Sequence, residues 1–241
     1  MSNTGFKYQG QCCPKPVWAC LELPVTDYRQ ALRLQQNLVS ARASRALNRD
    51  VVLVLQHFPV FTLGNRGGEE HLHVSGDFLE ARGISLVETD RGGSITYHGP
   101  GQLVAYPVVD LPLNGWLVVD FVHALESVMI SIAGQWGVAA QRHALGRGAW
   151  VRGKKIGSVG LRVSRKVSFH GLALNVDPHL DPFDWIAPCG LSGIQMTSIA
   201  RETGGPVSMN KIARSARAHF SSVFNVELEP VPADYVADYW R

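Results

Sequence analysis

Apolar and polar positions along this chain repeat with two periods, and the switches between them mark out its elements. Thr26 and Asp27 carry side-chain oxygens that can cap a helix, and Tyr28, Ala31, Leu34 and Leu38 then recur at helical spacing, to about Leu47. Val51–His57 is a β-branched run and reads as a buried strand. Pro59 interrupts it, and Val60–Leu63 resumes it before Gly64. A loop follows at Asn65-Arg66-Gly67-Gly68, then a short helix over 77–82 ended by Gly83, a strand over 84–88 and a valine-rich strand over 102–111. Val118, Val122, Leu125, Met129, Ile132 and Trp136 are spaced four and three in turn, a helix whose stripe reads as core packing. From 138 to 176 the pattern becomes β, with three or four short strands and turns at 146–148 and at Arg152-Gly153. After the linker Thr203-Gly204-Gly205-Pro206, Ser208 is placed to cap a last helix with Ile212, Ala216, Phe220 and Phe224 on one face. Strands in clusters with a few long helices predict an α+β fold, a mixed β-sheet packed with helices.

Residues 91–103, Arg-Gly-Gly-Ser-Ile-Thr-Tyr-His-Gly-Pro-Gly-Gln-Leu, interrupt this pattern. Period two puts Ser94, Thr96 and His98 on one face and Ile95 and Tyr97 on the other. Gly92 and Gly93 remove side chains where the polar face begins, so another group can approach bare peptide N–H groups there. Arg91 adds a fork of donors. The stretch reads as a surface that holds a substrate's polar group, or as a tight hairpin whose glycines serve only its turns.

Length, charge and cysteines narrow the class. A chain of 241 residues with 46% hydrophobic and 18% charged content suits one globular domain. The net charge of +3, without a long Lys/Arg run, does not indicate nucleic-acid binding. The polar N-terminus lacks a signal-peptide core and the apolar runs are too short to span a bilayer, so no membrane partner is expected and a cytoplasmic location is the default. Adjacent Cys12 and Cys13 do not fit a metal knuckle with Cys20, so these read as ordinary thiols in a reducing compartment and no metal site is expected.

Three side chains further on carry chemistry. Lys155 opens a strand in which Lys155, Gly157, Val159, Leu161 and Val163 share one face, apolar except for the lysine. It either snorkels outward at the strand end or is partly desolvated. In the next strand His170 shares a face with Leu172, Leu174 and Val176, as a core histidine does. Cys189, between Pro188 and Gly190, stands far from the other cysteines, as a nucleophile or as an inert buried thiol. A cysteine reacts as thiolate, and its ordinary pKa of about 8.5 calls for a neighbouring cation or base. His98, His170 and Lys155 are the candidates.

Taken together, these stretches resemble the lipoate-protein ligase B family, the octanoyltransferases of lipoate biosynthesis. The resemblance runs from Pro59-Val-Phe-Thr-Leu-Gly through the stretch at 91–103, Gly148-Ala-Trp-Val and Lys155-Ile-Gly-Ser-Val-Gly-Leu-Arg-Val to Phe169-His-Gly-Leu-Ala-Leu-Asn and Pro188-Cys-Gly. It covers about residues 53–199. Phe58 departs from the pattern, and the N-terminal cysteines and the tail after Glu202 match nothing in it.

The resemblance implies a fold shared with the biotin and lipoate protein ligases, as a single catalytic domain over 1–241. It implies transfer of an octanoyl group from octanoyl-acyl carrier protein to a specific lysine of lipoyl domains, those of 2-oxoacid dehydrogenase complexes and of the glycine cleavage H protein. Cys189 and Lys155 take the places of the family's catalytic dyad, with a thioester on the cysteine and no cofactor. Arg91, Gly92, Gly93, Ser94, Ile95, Thr96, Tyr97 and His98 match its substrate-binding segments, as do Ser158, Val159 and Gly160, and Gly171, Leu172 and Ala173. Ile95, Val159 and Leu172 are expected to line an acyl tunnel, and Arg91, Arg147, Arg152 and Lys154 to steer acidic partners. The alternatives are an ATP-dependent lipoate- or biotin-type ligase, which needs no nucleophilic cysteine, an acyl thioesterase, and a non-enzymatic binding module.

Overall fold

The computed structural model describes residues 14–187 and 193–240. Its frame is an eight-stranded mixed sheet. Strands β1 (Val17–Thr26) and β2 (Val51–His57) are parallel, and β6 (Gln102–Val108), β10 (Val167–Asn175), β9 (Lys154–Ser164), β8 (Gly146–Val151) and β7 (Gln141–His143) follow antiparallel in that spatial order. At the other edge β11 (Glu227–Pro230) pairs parallel with β1. The two edge strands are the shortest of the eight, four residues in β11 and three in β7. A second sheet is formed by β3 (Val60–Leu63) between β4 (Ser85–Glu88), parallel, and β5 (Thr96–His98), antiparallel.

Helices cover both faces of the large sheet, and two short ones, α2 (Gly76–Glu80) and α4 (Ile199–Thr203), stand between the long ones in sequence. On one face α3 (Val118–Gln135) and α5 (Met209–Phe224) pack on Leu103, Ala105, Ile156, Leu172 and Leu174. On the other, α1 (Tyr28–Ala43) packs on Leu53, Val104, Tyr106 and Phe169. Helix α3 is long and apolar enough to cross a membrane, but it lies in the protein core with Phe121, Leu125, Val128, Met129 and Ile132 buried. Its buried face is turned from the expected stripe: Phe121 is fully buried while Val118 is 48% exposed. Helix α5 buries the four residues its spacing predicts.

Helix caps and strand ends explain the other departures. Asp27 Oδ1 accepts from Gln30 N at 3.0 Å and starts α1 as expected. The helix stops at Ala43, short of Leu47, because Ser44 is its C-cap and Arg45 is left-handed at φ 64°. Ser208 occupies the N-cap of α5 without a side-chain cap bond. The strand expected over 102–111 ends at Val108. Strand β1 escapes the sequence pattern because Glu22 and Pro24 interrupt it, and the register with β2 shifts between Glu22 and Val25. Cys20 is a free, buried thiol in β1, pushed up to about 12 by burial, which makes it inert.

Candidate active site

The glycine-rich stretch docks against the large sheet through its backbone. Gly92 N donates to Leu161 O on β9 at 3.0 Å, and a Cβ at Gly160 would meet Gly92 O at 3.0 Å and Arg91 Cδ at 3.1 Å. A narrow cavity of about 60 Å³ opens where the two approach. Gly92, Gly93 and Thr96 on one side and Ser158, Val159 and Gly160 on the other are half-buried and form its mouth. Ser94, Ile95, His98, Gly171, Leu172 and Ala173 line it deeper. The alternation expected in β5 is present: Thr96 and His98 face the cavity, while Tyr97 turns into the small-sheet core against Phe61 and Phe183.

Arg91 departs from the expectation of a steering charge. Its guanidinium is buried, with Nε donating to Thr62 Oγ1 at 3.0 Å and Nη2 to Thr62 O at 2.5 Å. It fastens the glycine-rich loop to β3 and stands buried at the cavity wall.

Lys155 is brought into the cavity by a β-bulge. Ala149 pairs with Gly157 and Trp150 with Lys155, so Ile156 is an extra residue on β9. Ile156 joins the α3-side core, and Gly157 approaches Met129 of α3. Lys155 therefore does not share the face of Gly157, Val159 and Leu161 that uninterrupted alternation assigns to it. It lies with Ser158 and Gly160 on the cavity side, 96% buried, with Nζ 5.4 Å from the Trp150 ring centroid. Its backbone is clamped by the chain that follows residue 193: Lys155 N donates to Gln195 O and Thr197 N to Lys155 O, both at 2.9 Å. Cys189 lies outside the described residues.

Opposite the mouth, the cavity is closed by a cluster of rings from four separate elements: Tyr28, His98, Tyr106 and His170, with His57 behind them. Their hydrogen bonds fix the tautomers. His57 Nδ1 can only donate to Thr26 O (2.8 Å), so its Nε2 accepts from Tyr106 OH (2.7 Å). Gln102 Nε2 donates to Asn175 Oδ1 (2.9 Å) and Tyr97 O (3.3 Å), so its Oε1 accepts from His98 Nδ1 (2.6 Å). Asn175 Nδ2 continues the chain to Thr197 O at 3.0 Å, beside Lys155. Burial pushes His57 down to about 4 and His98 well below its ordinary value, so both rings are neutral near pH 7.

His170 also differs from the expected packing. Its φ is +54°, which turns the ring off the Leu172 face and onto Phe169 and Tyr106 on the cavity side. Nε2 donates to Asp90 Oδ1 at 2.9 Å, and this bond holds the Asp90 carboxyl below its usual range. Burial still outweighs Asp90 and lowers His170 overall. Tyr28, Tyr106 and His57 carry no signal in a one-dimensional reading, since nothing in their spacing joins residues 28, 57 and 106. Among the described residues, no three His, Cys, Asp or Glu side chains are grouped to hold a metal.

Comparison with known proteins bears on this arrangement. The lipoyl protein ligase A/B catalytic domain family matches residues 27–221. The octanoyltransferase of Desulfotalea psychrophila is 44% identical over 211 residues, 86% of this chain and 95% of that protein. The chain belongs to the octanoyltransferase family. Like its family, it is an acyltransferase. Among solved structures, lipoate-protein ligase A bound with ATP has a TM-score of 0.73 at 15% identity, covering 95% of this chain and 93% of that one. A bipartite lipoate protein ligase from Thermoplasma acidophilum gives 0.72 at 15% identity, covering 94% and 91%. At such identity these two speak for the octanoyltransferase's fold, a mixed sheet packed with helices, and not for its chemistry.

Proposed function

We propose that this chain, as one catalytic domain, moves an octanoyl group from octanoyl-acyl carrier protein to a lysine of lipoyl domains by way of a thioester on Cys189. The acceptors are the lipoyl domains of 2-oxoacid dehydrogenase complexes and the glycine cleavage H protein. The observation that carries the reading is the buried Lys155 in a cavity walled by bare glycine backbone, in a chain of the octanoyltransferase family. The Cys189 thiolate attacks the thioester carbonyl, forming a new C–S bond as the carrier's thiolate leaves and takes up a proton. The acceptor's neutral amine then attacks the Cys189 thioester, an amide C–N bond forms, and the amine's proton passes to the departing Cys189 sulfur. Lys155 is the group that takes and returns these protons. The donor is already activated, so no nucleotide and no cofactor is required.

Arg91, Gly92, Gly93, Ser94, Thr96 and His98, with Ser158, Gly160, Gly171 and Ala173, hold the substrate, and Ile95 gives it an apolar wall, while Val159 and Leu172 border the cavity with their side chains packed in the α3-side core. Tyr97 serves this surface from behind, since its ring lies in the small-sheet core. Steering of acidic partners falls to Arg147, Arg152 and Lys154, of which Arg147 and Arg152 are well exposed. A reduced thiol suits the cytoplasm. Intact-protein mass spectrometry after incubation with octanoyl-acyl carrier protein should show one octanoyl adduct. Neutral hydroxylamine should remove the adduct, as it removes a thioester, Cys189→Ser should form no such hydroxylamine-sensitive species, and Lys155→Ala should form it about a thousandfold more slowly. Robust octanoylation of a lipoyl domain from free octanoate, ATP and magnesium would instead assign the ligase reaction.

A further inference from the structure

The cavity has a built end, and its geometry assigns a function to the strained residue there. Along the β9/β10 pair four small residues form a block of two rows: Ser158 faces Ala173 and Gly160 faces Gly171. All four line the cavity. Lys155 lies beyond one end of the block, three positions before Ser158. At the other end Leu161 pairs with His170. Missing side chains thus cut a channel that starts at Lys155 and runs along the strands toward His170. Six positions on β9 separate its ends, roughly 20 Å at 3.3 Å per residue, less the extra residue of the bulge. A lysine side chain and an eight-carbon acyl chain laid end to end reach roughly 16 Å at C–C bonds of about 1.5 Å.

In a regular strand the His170 ring would point to the α3 side with Leu172 and leave this channel open. It does not, because the residue is held at φ +54°, a conformation that costs a non-glycine residue energy. Three contacts enforce it. His170 N donates to Gln35 Oε1 at 2.7 Å, Nε2 donates to Asp90 Oδ1 at 2.9 Å, and the ring stacks on Phe169 at 4.7 Å. The ring is 1% exposed and is backed by Tyr106, whose hydroxyl is in turn committed to His57. A ring fixed at both its backbone and its far nitrogen cannot swing aside for a longer ligand.

We propose that His170 is the end-stop of the acyl channel and sets the upper limit on acyl length. This rests on the acyl-transfer reading above and adds to it the residue that selects eight carbons over ten. His170→Gly is the direct test, since glycine adopts the left-handed backbone without strain and removes the ring. Wild type and variant are each given an equimolar mixture of octanoyl- and decanoyl-acyl carrier protein with a lipoyl domain, and the two products are counted by mass. Wild type should yield mainly the octanoyl product. In His170→Gly the decanoyl-to-octanoyl ratio should rise about tenfold, the effect of giving two more methylenes an apolar site. His170→Asn, shorter than histidine and tolerant of positive φ, should raise it less and serves if the glycine variant does not fold. An unchanged ratio with octanoyl transfer retained overturns the end-stop and leaves the functional reading standing. Absence of transfer by the wild type from either donor overturns the functional reading itself, and the end-stop with it.

Discussion

On the α3/α5 side of the large sheet, Leu103, Ala105, Ile156, Leu172 and Leu174 meet Leu125, Val128, Met129 and Phe220 in an almost wholly apolar contact. On the opposite side, where β9 and β10 run under the glycine-rich loop, the buried groups are His57, His98, His170, Gln102, Asn175 and Lys155. The residues named on both sides are buried. They differ in what a fault would cost. The apolar side is held by many small contacts, so a truncation there leaves a void whose cost scales with its volume. The polar side is held by directed bonds, each of which fixes the next tautomer or amide, so removing one partner strands another. The first arrangement supplies stability, and the second holds a cavity open in one defined shape.

Three measurements press on this contrast. Phe121→Ala, on the apolar side, should cost about 4 kcal/mol in denaturant unfolding and leave activity per folded molecule unchanged. A larger loss of activity than of folded protein would mean that the two sides are coupled. Acidification should act through the polar side. His57 stays neutral in the folded protein down to about pH 4, whereas in the unfolded chain it takes up a proton near its ordinary value of 6.5. Between those values the unfolded chain binds the extra proton. Stability should therefore fall by about 3 kcal/mol from pH 7 to pH 4 on account of this ring, with burial of His98 and His170 acting in the same direction. His57→Gln should flatten that slope, and urea midpoints at pH 7, 5.5 and 4 read it directly. Gln102→Ala is the smallest change, about 2 kcal/mol for stranding His98 Nδ1 and Asn175 Oδ1. Unlike Phe121→Ala, it should also lower kcat/KM severalfold, because His98 lines the cavity.

The same contrast governs what a one-dimensional pattern can reveal. Helix α5 buries Ile212, Ala216, Phe220 and Phe224 as its period requires, because nothing interrupts that period. Strands β9 and β10 also carry the expected residues, yet the period assigns Lys155 and His170 to the wrong face. An extra residue at Ile156 and a positive φ at His170 each reverse the alternation, and neither has a sequence signature such as glycine. Arg91 is legible as part of the site but not as a buried clamp, since Thr62 lies 29 residues away. Tyr28, His57 and Tyr106 meet only because β2 and β6 pair while α1 crosses their face. Motif spacing records the cavity's chemistry, and long-range packing decides its shape.

The short outer strands of the large sheet bear on how this enzyme meets other proteins. Strand β11 ends in Pro230, which has no N–H to offer, and β7 carries a register irregularity against β8. Neither rim gives a visiting chain more than a few consecutive backbone groups to pair with. Recognition by strand addition to the large sheet is thereby disfavoured. The carrier-protein and lipoyl-domain partners of the proposed reaction are then expected to be read by loops and side chains around the cavity mouth, each gripped briefly and let go, as the proposed two-step transfer requires.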